Sequence, residues 1–239
     1  MTHFAAVLDA ERIKLTTLRS PLWATAAAAL LSFAVAALQA AASYRGLTVT
    51  SAALGVAVFG VPVLMVVAAM TVTGEYRTGL MRTTLMAAPN RTAVLGAKAV
   101  VAAVFCGGAA ALMTIGAVLV GRADGPGLWR ATGAIGLYAA LAAVLGVAVA
   151  ALVRHTAGAV TVLLLWPLLV EPLLGNLPGH GARIGPSLPF ANALRFLDVS
   201  WLFPAYDMPW GEWGSLGYFA AVVAAVFVVA VGTMNRRDA

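Results

Sequence analysis

Six stretches of roughly 20 apolar residues, each closed by turn or charge signals, take up almost the whole chain and leave no room for a water-soluble domain. Each is long enough to cross about 30 Å of hydrocarbon as an α-helix, the form in which a single segment satisfies its own backbone polar groups. Composition agrees: 62% of the residues are hydrophobic and only 10% are charged, and the mean hydropathy is +0.94. An all-α polytopic membrane protein is therefore predicted, as a single transmembrane domain over residues 1–239.

The spans are read at Pro21–Ala42, Ser51–Thr73, Thr92–Val120, Trp129–Val153, Thr156–Leu174 and Ser215–Thr233. An even number puts both termini on one side, and the basic residues choose the side. With both ends cytoplasmic, Arg12, Lys14, Arg19, Arg77, Arg82, Arg91, Lys98, Arg154, Arg236 and Arg237 fall inside. Arg45, Arg122, Arg130, Arg183 and Arg195 fall outside, so ten of the 15 basic residues obey the positive-inside rule. In a soluble protein a net charge of +6 would suggest nucleic acid. Here the charges follow the membrane faces, and attraction to anionic lipid headgroups accounts for them, so no nucleic-acid partner is expected.

Residues 1–20 read as an amphipathic helix on the cytoplasmic membrane surface, with Phe4, Val7, Leu8, Leu15 and Leu18 on one stripe and Asp9, Arg12, Lys14 and Arg19 mostly off it. Anchoring in the interface and contact with a cytosolic partner both fit. Cys106, the single cysteine, lies in the third span and reads as a packing residue. The histidines His3, His155 and His180 are scattered over separate polar segments, and no motif for a metal or a catalytic nucleophile occurs, so neither catalytic nor metal-binding residues are assigned.

The connection after the second span is the richest in polar signals: Gly74-Glu75-Tyr76-Arg77-Thr78-Gly79, then Leu80 to Ala88, then Pro89-Asn90-Arg91. Leu80, Met81, Thr84 and Leu85 share a helical face, and Glu75, Arg77 and Arg82 suit ionic contact with a soluble partner. The fifth span carries one conspicuous intramembrane acid, Glu171, placed near the outer end of the span where water reaches it. Pairing with a backbone N–H freed by Pro167 and Pro172, pairing with an outer Arg, and a role in an outer gate or pathway all remain open. Residues 175–214 form a long, aromatic-rich outer segment, re-entrant or interfacial, in which Phe190, Leu194 and Leu197 line one face of a short helix.

Taken together, Glu11-Arg12-x-Lys14, the six spans, the Gly-Glu-Tyr-Arg-Thr-Gly block, Pro89-Asn90-Arg91, Lys98 and Leu188-Pro189-Phe190 resemble the permease subunit of type-two ATP-binding-cassette exporters. The resemblance spans nearly the whole chain and is most specific between Glu75 and Lys98. It implies that the loop after span two is a coupling helix seated on a separate ATPase subunit, with Glu75, Arg77, Gly79 and Arg82 in that contact. It also implies a second permease copy or homologue, short helices at the outer mouth, and residence in a bacterial cytoplasmic membrane. Leu80 stands where many members have Thr. The chain has no phosphate-binding loop, since neither Lys14 nor Lys98 follows a Gly directly, so ATP and Mg are expected on the partner. The expected function is export of a hydrophobic or amphipathic substrate. An ion- or proton-coupled carrier and a non-transporting membrane scaffold are the competing classes.

Overall fold

The computed structural model describes residues 3–44, 46–87, 90–199, 202–204 and 206–237. Arg45, Pro89 and Trp201 lie outside the described residues, as do the side chains of His3, Arg82, Leu85 and Arg237. The structure is 84% helical, with no strand among the described residues. Twelve α-helices are described: α1 (His3–Thr17), α2 (Arg19–Ala42), α3 (Val49–Gly55), α4 (Val61–Thr78), α5 (Leu80–Ala87), α6 (Arg91–Val120), α7 (Leu128–Val153), α8 (Thr156–Leu165), α9 (Glu171–Gly175), α10 (Gly181–Ile184), α11 (Pro189–Phe196) and α12 (Glu212–Arg237).

Six helical rods are long and apolar enough to cross a membrane: α2, α3 with α4, α6, α7, α8 with α9, and α12. Two of them are interior. The second and fourth spans are 72% and 61% buried over their most apolar windows, against 22–33% for the others, because α7 packs against α6, α4 and α12 along its length. The outer rods turn Leu30, Leu38, Leu112, Leu119 and Val228 outward, which is stable only where the surroundings are themselves apolar. Multi-pass membrane character is thus built into the packing.

The interior rods approach closely because side chains are missing where they cross. A Cβ on Gly146 of α7 would stand 2.3 Å from the Met65 carbonyl oxygen of α4, and one on Gly107 of α6 would stand 2.9 Å from the Gly136 carbonyl oxygen of α7. Small residues at these points let backbones touch, the usual way helices associate without a hydrophobic driving force between them. Gly108 and Gly133, which belong to the same small-residue pattern, face open space.

Both interrupted rods are interrupted for the same reason. A single π-turn, Val56–Gly60, joins α3 to α4, and another, Trp166–Val170, joins α8 to α9. In each, the last widened bond runs from the residue immediately before a proline: Val61 N–H to the Val56 carbonyl ahead of Pro62, and Glu171 N–H to the Trp166 carbonyl ahead of Pro172. Proline lacks an N–H and clashes with the carbonyl four residues back. Widening the turn by one residue relieves that clash and shifts the helical register beyond it.

Two span ends differ from the sequence reading. The second span's helix does not stop at Thr73 but runs on to Thr78, so the Gly74–Thr78 block is its last turn and not a loop; Gly79, at φ +73°, ends it in a left-handed turn. At the other end of the bundle α11 folds inward, burying Phe190, Ala191, Ala193, Leu194 and Phe196 as well as the polar Asn192. Helix α1 and the last turn of α12 sit on one face, here called the terminal face, because α1 crosses α6 and the Arg91 guanidinium donates to the Asn235 carbonyl (3.2 Å).

Gly146→Ala is expected to push α7 off α4 and lower stability by about 1–3 kcal/mol, whereas Gly133→Ala should be neutral within about 0.5 kcal/mol. Thermal melting of the two variants in the same detergent checks this.

Candidate functional site

Near the terminal face, four charged side chains from three helices close into a ring. Lys98 of α6 is fully buried and donates to Glu11 Oε2 (2.8 Å), Glu75 Oε1 (2.7 Å) and the Thr71 carbonyl (3.4 Å), so all three of its protons are used. Lys14 of α1 donates to the other oxygen of Glu11 (2.9 Å) and again to Glu75 Oε1 (2.7 Å). Acid and base alternate around the ring and their charges cancel. An isolated ammonium inside an apolar bundle would cost several kcal/mol, and only this degree of pairing makes a buried Lys98 tolerable.

Each member has a structural reason to be there. Glu11 occupies the inward stripe of α1, one turn from Leu15, and these two are the buried residues of that helix's inner face. Glu75 lies in the last turn of α4, carried there by the extension to Thr78. Lys98 stands two turns inside α6, whose start is set by Asn90 accepting the Ala93 N–H (3.0 Å). Lys14 closes the ring from the solvent side. Burial lowers the pKa of its ammonium, but the hydrogen bonds it donates to Glu75 and Glu11, together with their charges, outweigh burial and hold it above the ordinary lysine value.

Glu75 is therefore not displayed to a partner, as the charge pattern of its block suggests: it is 7% exposed and its charge is spent on Lys14 and Lys98. Arg77, one turn-face away, is exposed and lines a cavity with Arg154 and His155. Gly79 supplies the turn into α5, and the side chain of Arg82 lies outside the described residues. On α5 itself Met81 is buried, while Leu80 is 53% and Met86 76% exposed, leaving two apolar side chains outward on the terminal face.

At the opposite face Glu171 is not reached by water, contrary to its apparent position near the end of the fifth span: it is fully buried. The register shift of the π-turn and the inward fold of α11 together enclose it. One carboxylate oxygen accepts from Trp166 Nε1 (2.9 Å); the other accepts the backbone N–H groups of Phe190 (2.8 Å) and Ala191 (3.3 Å). Those two N–H groups belong to the first turn of α11, where no intrahelical acceptor exists and the helix end is partly positive. Glu171 thus caps a helix from another part of the chain. Its backbone partners are N–H groups of α11, and not ones freed by Pro167 and Pro172 or an outer Arg as the sequence suggests.

Around that cap the outer segment is tightly keyed. Asn192 donates to the Pro186 and Leu188 carbonyls (both 2.9 Å) and accepts from Trp210 Nε1 (2.9 Å), which ties the half-buried Trp210 to α11. The Tyr206 ring fills space left by Gly175 and Gly185. Burial, and secondarily the charge of Glu171, raise the Tyr206 pKa. Phe190 and Tyr138 both pack on Phe219 of α12, with ring centroids 5.4 and 5.6 Å apart. The arrangement makes a plug of short helices packed on α9 and α12.

No protein-family model matches the chain, and no curated protein is significantly similar to it.

Lys98→Met leaves two buried carboxylates facing each other and is expected to cost about 3–5 kcal/mol, more than Lys14→Met at the solvent side of the ring. A raised lysine pKa means that the pairing contributes in full below the ordinary lysine value and is lost as pH rises through the elevated one. Melting temperature should accordingly fall in the alkaline range above that value, and fall less in Lys14→Met; detergent melts across pH check both. Glu171→Gln keeps the shape, but its amide nitrogen cannot accept where a carboxylate oxygen did. Either Trp166 or the start of α11 is left unpaired, and a loss of about 1–3 kcal/mol is expected in the same melts.

Proposed function

We propose that this chain is the membrane-spanning permease subunit of an ATP-driven exporter, working with a separate ATPase subunit and a second permease copy or homologue. The observation that carries the reading is the placement of α5. It presents Leu80 and Met86 outward on the terminal face while α4, on which it packs, is tied to α1 and α6 by the buried charge ring. A push on α5 from a soluble partner reaches α4 directly, and through Glu75 and Lys98 it reaches α6 and the surface helix as one body. That is the mechanical property required of an element that converts a partner's motion into movement of spans.

The distribution of basic residues makes the terminal face cytoplasmic, the side on which ATP is found, and a bacterial plasma membrane is the setting the resemblance implies. The partner contact is assigned to α5 and the Gly79 turn, with Glu75 acting behind it as part of the transmitting ring. ATP and Mg belong to the partner. At the opposite face the plug held by Glu171 is assigned the part of an outer gate, since freeing the α11 N-terminus loosens a block packed on α9 and α12. The cargo is assigned to the hydrophobic or amphipathic class, in keeping with the apolar surfaces of the spans.

The full chain purified alone is expected to show no ATP hydrolysis and, drawn from native membranes, to bring an ATPase with it. Leu80→Glu with Met86→Glu should fold normally, as judged by its melt, yet reduce recovery of that ATPase on the order of tenfold. Vesicles given ATP or a pH gradient separately complete the test. Transport driven by the pH gradient with no ATPase present overturns the proposal in favour of a coupled carrier.

A further inference from the structure

A cavity of about 580 Å³ opens at the terminal face between the end of α4 and the α7–α8 turn. Its rim carries Arg77, Arg154 and His155, and its walls include Tyr76, Thr156 and Val160. No acidic residue lines it among the described residues: the nearby Glu75 is turned the other way, into the charge ring. Arg154 is held in place twice. Its backbone takes the left-handed conformation (φ 57°) that ends α7, and its guanidinium lies 5.2 Å from the centre of the Tyr76 ring. His155 caps α8, its Nδ1 accepting the Gly158 N–H (3.4 Å).

Depth identifies the occupant. Arg77 ends the second span and Arg154 lies between the fourth and fifth, so both guanidiniums stand at one membrane–water boundary. From there the wall descends along α8 through Ala157, Val160 and Thr161 into the apolar zone. Positive groups at headgroup depth above an apolar wall match an amphiphile with an anionic head, and guanidinium forks pair well with phosphate oxygens. A soluble anion uses the rim and leaves the wall wet.

We infer that this cavity is a binding site for the phosphate headgroup of an anionic phospholipid, with Arg77 and Arg154 as its phosphate ligands and α8 as the acyl-chain wall. The assignment is independent of the exporter reading and takes Arg77 away from any partner contact.

The test uses the purified full chain in neutral detergent, offered equimolar phosphatidylglycerol and phosphatidylcholine and read by native mass spectrometry. The wild type is expected to retain phosphatidylglycerol on the order of tenfold better. Arg77→Gln and Arg154→Asn should each cut that preference severalfold and the double variant should abolish it. Asn suits the left-handed position of Arg154, and should the double variant fail to fold, exposed Arg77→Gln carries the test. Arg183→Gln, an exposed charge outside the cavity, should change nothing. Equal retention of the two lipids by the wild type, or an unchanged preference in Arg77→Gln, overturns the proposal. A loss in Arg183→Gln as large as that in Arg77→Gln does the same, because it means that any surface charge serves. Displacement of phosphatidylglycerol by millimolar inorganic phosphate overturns the lipid assignment.

Discussion

Everything at the terminal face depends on the neutralisation of Lys98. A lysine two turns inside an apolar helix is untenable alone, and the structure meets the problem with two carboxylates from different helices, Glu11 and Glu75, and a second lysine to balance them. Because the interaction is directional, it does what apolar packing between helices of similar surface does poorly: it specifies which helix lies where. The surface helix is held at one register against α6, and the last turn of α4 must remain helical through Thr78 for Glu75 to arrive. The position of α5 follows, since Gly79 turns the chain immediately after that turn.

The opposite face solves a similar problem with one charge. Glu171 has no cationic partner among its hydrogen bonds; it is met by the indole of Trp166 and the positive end of α11. Such a cap uses three donors that would themselves be costly to leave buried and unpaired. The acid and the helix end therefore stabilise one another, and the block of α10 and α11 becomes part of the bundle's end. Prolines 62 and 172 contribute less directly, by forcing the π-turns that set the register of the segments beyond them.

The two ends differ in how they would yield. The ring joins long helices and resists separation of α1, α4 and α6. The other end joins the fifth span, through Glu171, and α12, through the Phe190–Phe219 contact, to a segment of short helices.

The six spans, the all-α class and the presence of a short helix after the second span were legible in the chain because run length and apolar content alone decide them. So were the buried faces of Phe190, Leu194 and Leu197, which follow from helical spacing. The candidate site was half visible. Glu11 interrupts the apolar stripe of its helix and Lys98 stands alone in an apolar run, and an acid and a base each misplaced in this way are a signal that they belong together. That Glu75 joins them, and so turns inward, needed the extra turn of α4; that Glu171 is enclosed needed the π-turn and the folding-in of α11. Periodicity along a sequence reports which residues share a face of one helix. Which face meets which across the bundle is decided by the sum of packing, glycine contacts and charge pairing between distant segments, and only the tertiary structure contains that sum.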